Sequence, residues 1–271
     1  MFIRLETNDE LLGDGGSFLT DEVQYNLIHR ISEVSDALSI KTTDNRMVFA
    51  QTQGQKAWLW VSKETQLEEQ KEILQNLVSY LNSNQLPGVS GDPQTAEMFA
   101  EVFSKKRGIG YETVMTMESY HCPKGIKPVN VPGEIRKAAL EDIDTVATYL
   151  AGFVEDAFGT SVEASTQRSK AQTMIEAGNL YLWLVDEKPV SMANISHRSP
   201  RHARINAVYT PVMHRKNGYA SALVAELCVM IHSEGLVPML YADISNPDSN
   251  KVYQNIGFIE SGKIAEIKFV G

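Results

Sequence analysis

Little in this chain of 271 residues could be stapled, metallated or sunk into a lipid bilayer. Its two cysteines, Cys122 and Cys228, lie in unrelated segments without a metal-ligand spacing, which argues against a disulfide framework and points to a reducing compartment. Basic residues are in the minority: 25 Lys plus Arg against 34 Asp plus Glu leave a net charge of -9. Nucleic acid is therefore not expected as the main partner, because that binding runs on phosphate neutralisation. The longest apolar run, "YASALVAELCVMI", is short for a membrane span and carries Glu226, so no membrane is expected either. The opening "MFIRLETNDE" is acidic by position 6 and has no apolar leader segment, so the expected location is the cytoplasm. No strand precedes a G-x-G-x-x-G turn, which disfavours a dinucleotide fold. Fixed-period repeats and low-complexity tracts are missing too, which excludes solenoids.

What is present suits two domains or one large one. Three prolines and two glycines fall in "ESYHCPKGIKPVNVPGEIRKA", residues 118–138, with little helical periodicity. That composition reads as a linker and predicts domains over 1–125 and 126–271. In the first, Val23, Leu27, Ile31, Val34 and Leu38 predict a helix over Glu22–Leu38. Strands are expected at "MVFAQT" and "AWLWV", then a helix over Thr65–Leu81, a break at "NQLPGVSGDP", a helix over Gln94–Lys106 and a strand at "YETVMTMESY". The second half predicts a strand at "GEIRKA", helices over Glu141–Phe158 and Val162–Ala177, and a hairpin of "NLYLWLVD" and "VSMANISH" around "EKP". The strand "ARINAVYT", a helix over Gly218–Ser233, the strand "VPMLYADI", a helix at "PDSNKVYQN" and a closing strand or hairpin at "GFIESGKIAEIKFV" complete it. The predicted class is α/β (α+β), a mixed sheet with helices on both faces and a smaller α+β domain before it.

The stretch "VYTPVMHRKNGYASALV", residues 208–224, carries the chemistry. A strand leaves through Thr-Pro, Arg215 and Lys216 supply positive charge, and Gly218 and Ala220 keep the start of a helix clear of bulk. A helix N-terminus offers unsatisfied N-H groups and positive partial charge, so this order suits a phosphate cradle. An ordinary surface turn before an amphipathic helix reads the same way. In "NPDSNKVYQNIGF", residues 246–258, Asn246, Ser249, Val252, Tyr253, Gly257 and Phe258 keep the spacing N-x-x-S-x-x-V-Y-x-x-x-G-F. Asn246 and Asp248 suit a helix start and Gly257 its stop, which is also how plain caps read.

Taken together, the two segments resemble the GNAT superfamily of acyl-CoA-dependent N-acetyltransferases, in its two-domain bacterial form, over about residues 131–271. Arg215 to Ala220 match the family's R/Q-x-x-G-x-G/A loop, with Lys216 and Asn217 at its middle positions. Residues 246–258 match its C-terminal N-x-x-A/S-x-x-x-Y-x-x-x-G-F element. The resemblance implies a GNAT-like, mostly antiparallel sheet. The element order of the smaller first domain loosely echoes the second, so it reads either as a degenerate GNAT-like copy or as a fused α/β domain that helps wall the acceptor cleft. The resemblance also implies acetyl-CoA as cosubstrate, held by Val208, Tyr209 and Thr210 at the strand exit and by Arg215, Lys216, Asn217, Gly218, Tyr219, Ala220 and Ser221 in the loop. Asn246, Ser249 and Asn250 would complete that site. Tyr253 would be the catalytic acid at the departing sulfur. It further implies direct transfer to a primary amine without a covalent enzyme intermediate, and no metal. A homodimer is allowed, and Asp243 and His197 are the candidates for a base. The competing expectation is a catalytically silent acyl-CoA-binding module.

Overall fold

The computed structural model describes residues 1–81 and 85–271. The chain begins with strand β1 (Phe2–Arg4), two 3-10 turns and helix α1 (Leu27–Ser32), then strands β2 (Leu38–Thr42), β3 (Met47–Gln51) and β4 (Ala57–Val61). Helix α2 (Leu67–Tyr80), strand β5 (Gly88–Gly91), helix α3 (Pro93–Arg107) and strand β6 (Gly110–His121) follow. After the proline-rich segment come β7 (Glu134–Lys137), α4 (Ile143–Phe158), α5 (Ala164–Glu176), β8 (Leu180–Val185), β9 (Lys188–Arg198) and β10 (His202–Tyr209). Helix α6 (Tyr219–Ser233), β11 (Val237–Asp243), α7 (Pro247–Ile256) and β12 (Ile259–Val270) close the chain. Two units result: Met1–Ser119 with 243–245 and 261–271, and Tyr120–Ala242 with 246–260.

In the first unit the strand order is β1-β2-β3-β4-β5-β12-β6. Strands β2, β3 and β4 form an antiparallel meander, β5 lies parallel to β4, and β12 lies antiparallel to β5. Alternation in "AWLWV" explains how β4 is buried on both sides: Ala57, Leu59 and Val61 join a core with Leu74 and Leu77 of α2 and Phe99 and Phe103 of α3. Trp60 faces the other way, where its indole N-H donates to Asp21 at 2.9 Å and Phe18 packs edge-on at 5.4 Å.

Two expectations fail here for physical reasons. The helix over Glu22–Leu38 shrinks to Leu27–Ser32, and Leu38–Thr42 is a strand pairing both β1 and β3. Side chains before Leu27 are engaged in tertiary contacts: Asp21 with Trp60 and Lys63, Glu22 with His29 at 2.9 Å, and Gln24 donating to the Lys263 carbonyl at 2.5 Å. These contacts outweigh a weak helical periodicity. The break at "NQLPGVSGDP" contains β5; its first residue, Asn84, lies outside the described residues. Glycine hides this strand because β5 is squeezed: a Cβ at Gly88 would lie 2.2 Å from the Ile267 carbonyl oxygen.

The second unit has an antiparallel ladder β7-β8-β9-β10, with β11 parallel to β10. Its sheet carries one core on each face. Ala193, Ile195, Ala203 and Ile205 pack with Leu223, Leu227 and Ile231 of α6, while Leu180, Leu182 and Met192 pack with Val146 and Leu150 of α4 and Ile175 of α5. The fold is therefore mixed and mostly antiparallel, with helices on both faces of this sheet. Among the described residues no helix is long and apolar enough to cross a membrane, and no group of three or more His, Cys, Asp or Glu side chains could hold a metal.

Candidate functional site

Strand β10 departs from regularity near its end. Opposite β9, Asn206 faces Asn194 and Tyr209 faces Met192, so three steps on β10 match two on its partner. The extra residue is a β-bulge, with Ala207 at a left-handed φ of 49°. One inserted residue flips every side chain after it. Ala203 and Ile205 face α6, but beyond the bulge Val208 takes that face, and Ala207 and Tyr209 turn to the α4 core. On the other side, the described parallel pairing with β11 covers only 202–204 against 237–239. Residues Ile205–Tyr209 thus run on beyond that pairing, and a bulge leaves its extra residue outside the ladder. Buried Ser191 fixes the exit, donating to the Tyr209 carbonyl at 3.1 Å and sharing a hydrogen bond with the Thr210 hydroxyl at 2.9 Å.

Past Pro211 the chain makes a short 3-10 turn and tightens. Lys216 and Gly218 both take positive φ, 65° and 81°. Asn217 holds the turn by donating its amide to the carbonyls of His214 and Arg215, each at 3.1 Å. Gly218 is the N-cap of α6 and supplies no side-chain cap; the first intrahelical bond is Ala222 N-H to Gly218 O at 2.9 Å. The N-H groups of Tyr219, Ala220 and Ser221 therefore precede the helical ladder, and no acidic residue lies in this first turn. A Cβ on Gly218 would sit 2.9 Å from Val131 Cγ2, so glycine is demanded by both space and backbone. Arg215 is tethered: Nε donates to the Thr210 carbonyl at 2.9 Å and Nη2 to the Asp156 carboxylate.

Helix α7 starts at Asn246, whose side chain accepts the Ser249 N-H at 3.0 Å, with Pro247 in the first turn and Gly257 as the stop at φ 105°. Asn250 donates its amide to the Asn246 carbonyl at 2.7 Å and accepts from the Tyr120 hydroxyl at 2.9 Å. Tyr253 is 8% exposed and packs between Tyr120 and Phe258, with ring centroids 6.3 and 5.8 Å away. Burial pushes its hydroxyl up to about 12, so at neutral pH it can only be a protonated donor. It makes no hydrogen bond among the described residues, which leaves that proton uncommitted.

The expected residues thus fall on three neighbouring elements: the β10 exit, the α6 turn and the start of α7. Of the two base candidates, His197 lies away from the β10 exit. His197 pairs with Arg204, five residues before Tyr209 and about 16 Å back along the strand. Asp243 accepts the Ser245 N-H at 2.8 Å and closes its own turn. Cys122 and Cys228, from segments that look unrelated, meet in one core, buried and unbridged. Sequence reasoning missed four contributors: Ala207, Ser191, Asp156 and Tyr120. Tyr120, at the end of a predicted strand, and Ala207, where alternation stops, carried some signal.

Residues 181–266 match the model of the family described as FR47-like protein. Solved structures share the architecture across nearly the whole length. A GCN5-related N-acetyltransferase from Sphaerobacter thermophilus is 15% identical with TM-score 0.58, covering 99% of this chain and 95% of that one. A GNAT-family acetyltransferase from Colwellia psychrerythraea is 13% identical with TM-score 0.55, covering 100% and 99%. A Drosophila protein is 12% identical with TM-score 0.65, covering 99% and 98%. No curated protein matches the chain. At these identities the structures show the fold alone, which is GNAT-like, and the FR47-like match runs from β8 into β12.

Proposed function

We propose that this protein binds acetyl-CoA in its second unit and transfers the acetyl group directly to a primary amine. One observation carries the reading: the first turn of α6, with three N-H groups ahead of the helical ladder and no acidic side chain, begins at a left-handed glycine beyond a bulged strand. Such a turn fits a diphosphate, because the dipole and the amides act together and Gly218 lets the anion approach. Tyr219, Ala220 and Ser221 would offer those amides, with Lys216 at the rim. Val208, from the part of β10 beyond its pairing with β11, and Thr210, just past the strand's end, would offer backbone groups to the pantetheine amides. When bound, acetyl-CoA supplies an activated acyl thioester.

The chain's own contributions are binding, orientation and one proton. Ser191 and the bulge at Ala207 fix where the backbone of 208–210 points. Asn250, held between Asn246 and Tyr120, fixes the first turn of α7. Tyr253 holds a proton on a buried hydroxyl with no competing partner among the described residues, a state suited to protonating a departing thiolate. Incubation with acetyl-CoA and a panel of amines, read by release of free thiol, tests the reading: turnover with at least one amine is expected. Binding without turnover across the panel would make the chain a silent acyl-CoA module, and no binding would remove the cofactor.

A further inference from the structure

We propose that Asp156 is a built-in stand-in for the cofactor's diphosphate at Arg215, so that coenzyme A binds by displacing it. The inference rests on the acyl-CoA reading above and adds a competitor within the same site. Arg215 opens the R-x-x-G-x-A turn, yet its guanidinium is already engaged: Nη2 donates to Asp156 Oδ2 of α4, Nε donates to the Thr210 carbonyl at 2.9 Å, and Cζ lies 5.9 Å from the centre of the Tyr209 ring. Tyr209 is itself bedded on α4. A Cβ at Gly152 would lie 2.1 Å from the Tyr209 hydroxyl oxygen, and the Tyr149 ring is 5.8 Å away.

Helix α4 therefore grips the β10 exit through two kinds of contact that differ in how readily they exchange. Tyr209 against Gly152 and Tyr149 is packed and positional. The ion pair is exposed, with Arg215 41% and Asp156 44% open to solvent, and an exposed pair is weak and screened. A diphosphate at the α6 amides would bring more negative charge to the same guanidinium than one carboxylate does, and would meet the helix dipole besides. Binding then leaves Asp156 uncompensated beside Glu155 at the C-terminal end of α4, where negative charge is unfavourable. The carboxylate thus lowers affinity for the anion it imitates.

The sign of this effect is unusual, because removing a residue next to the site should improve binding. Calorimetric titration with coenzyme A of the parent, Asp156→Asn, Arg215→Gln and the double variant is the test, run at low and high salt. Asp156→Asn is expected to tighten binding about two- to fivefold at low salt, with the gain shrinking as salt rises. In the Arg215→Gln background the same change should do nothing, and Asp156→Ser should reproduce the gain if the asparagine variant folds poorly. Unchanged or weaker binding in both charge-removing variants, or an equal gain without Arg215, would overturn the proposal. A parent that binds coenzyme A while these ratios fail leaves the acyl-CoA reading standing and removes only the displacement; a parent that binds none removes both.

Discussion

Helix α3 of the first unit and helix α7 of the second both follow a strand that is parallel to its neighbour. Each begins at an acidic or amide cap followed by proline, Asp92-Pro93 and Asn246-Pro247, and each stops at a glycine of positive φ, Gly108 and Gly257. Seven residues on from each cap an aromatic is buried, Phe99 in α3 and Tyr253 in α7. Four residues on stand Ala96 and Asn250. The helices before them differ more sharply. Five residues join β4 to α2, whose first turn carries Glu68 and Glu69; nine residues join β10 to α6, whose first turn has no acid. What builds the fold is common to the two units: caps, proline, alternation and the parallel strand. The acid-free first turn behind a left-handed glycine is seen in α6 and not in α2, and the buried residue seven past the cap is a tyrosine in α7 and a phenylalanine in α3. That pattern supports reading the first unit as a copy that keeps the architecture without the site.

The largest effect should come from giving α7 the residue that α3 already has. Tyr253→Phe is expected to lower kcat by roughly a hundredfold, about 3 kcal/mol, with little change in acetyl-CoA affinity. Steady-state kinetics with direct cofactor titration would read it, and retention of most of kcat would make Tyr253 a second Phe99. The same hydroxyl has a pH signature. Its pKa is raised to about 12 by burial, so the stability it lends is whole below the unfolded tyrosine value of about 10 and is lost as pH climbs through about 12. Denaturation midpoints of the parent should fall more steeply over that window than those of Tyr253→Phe.

The reverse exchange, Phe99→Tyr, should cost about 1–3 kcal/mol, because a hydroxyl would enter a fully buried site stacked on Phe103 at 5.6 Å. Urea denaturation would measure the loss, and no activity should be gained. Importing the acid of α2 into α6 comes next. Ala220→Glu should weaken coenzyme A binding by about tenfold through like-charge repulsion while leaving the fold intact, since a carboxylate in a first turn suits the helix dipole. The smallest effect is a null: Glu68→Gln with Glu69→Gln should leave coenzyme A titrations unchanged.

The second unit was more legible in the sequence than the first because its signals are local. The turn at 215–221 and the caps Asn246 and Gly257 are set by residues close in sequence, so spacing reveals them. The bulge left only a faint trace: "ARINAVYT" alternates as far as Asn206 and stops alternating at Ala207-Val208, and pairing with β9 is what shows that Ala207 is extra. The tether from Arg215 to Asp156 joins positions 59 residues apart, and Tyr120 reaches Asn250 across 130. In the first unit, β5 hid behind glycines that only the close approach of β12 explains, and β2 hid behind a helical spacing that tertiary contacts override. Strand β12, last in the chain, pairs with β5, so sequence order alone did not reveal which strands share a unit.

The central claim is that one of two similarly built units carries the cofactor site, and the stoichiometry of coenzyme A binding tests it most directly. Isothermal titration of the full chain is expected to give one coenzyme A per chain, weakened by Ala220→Glu and untouched by the double glutamine change in α2. Two molecules per chain, or one whose affinity is indifferent to Ala220→Glu, would contradict the account.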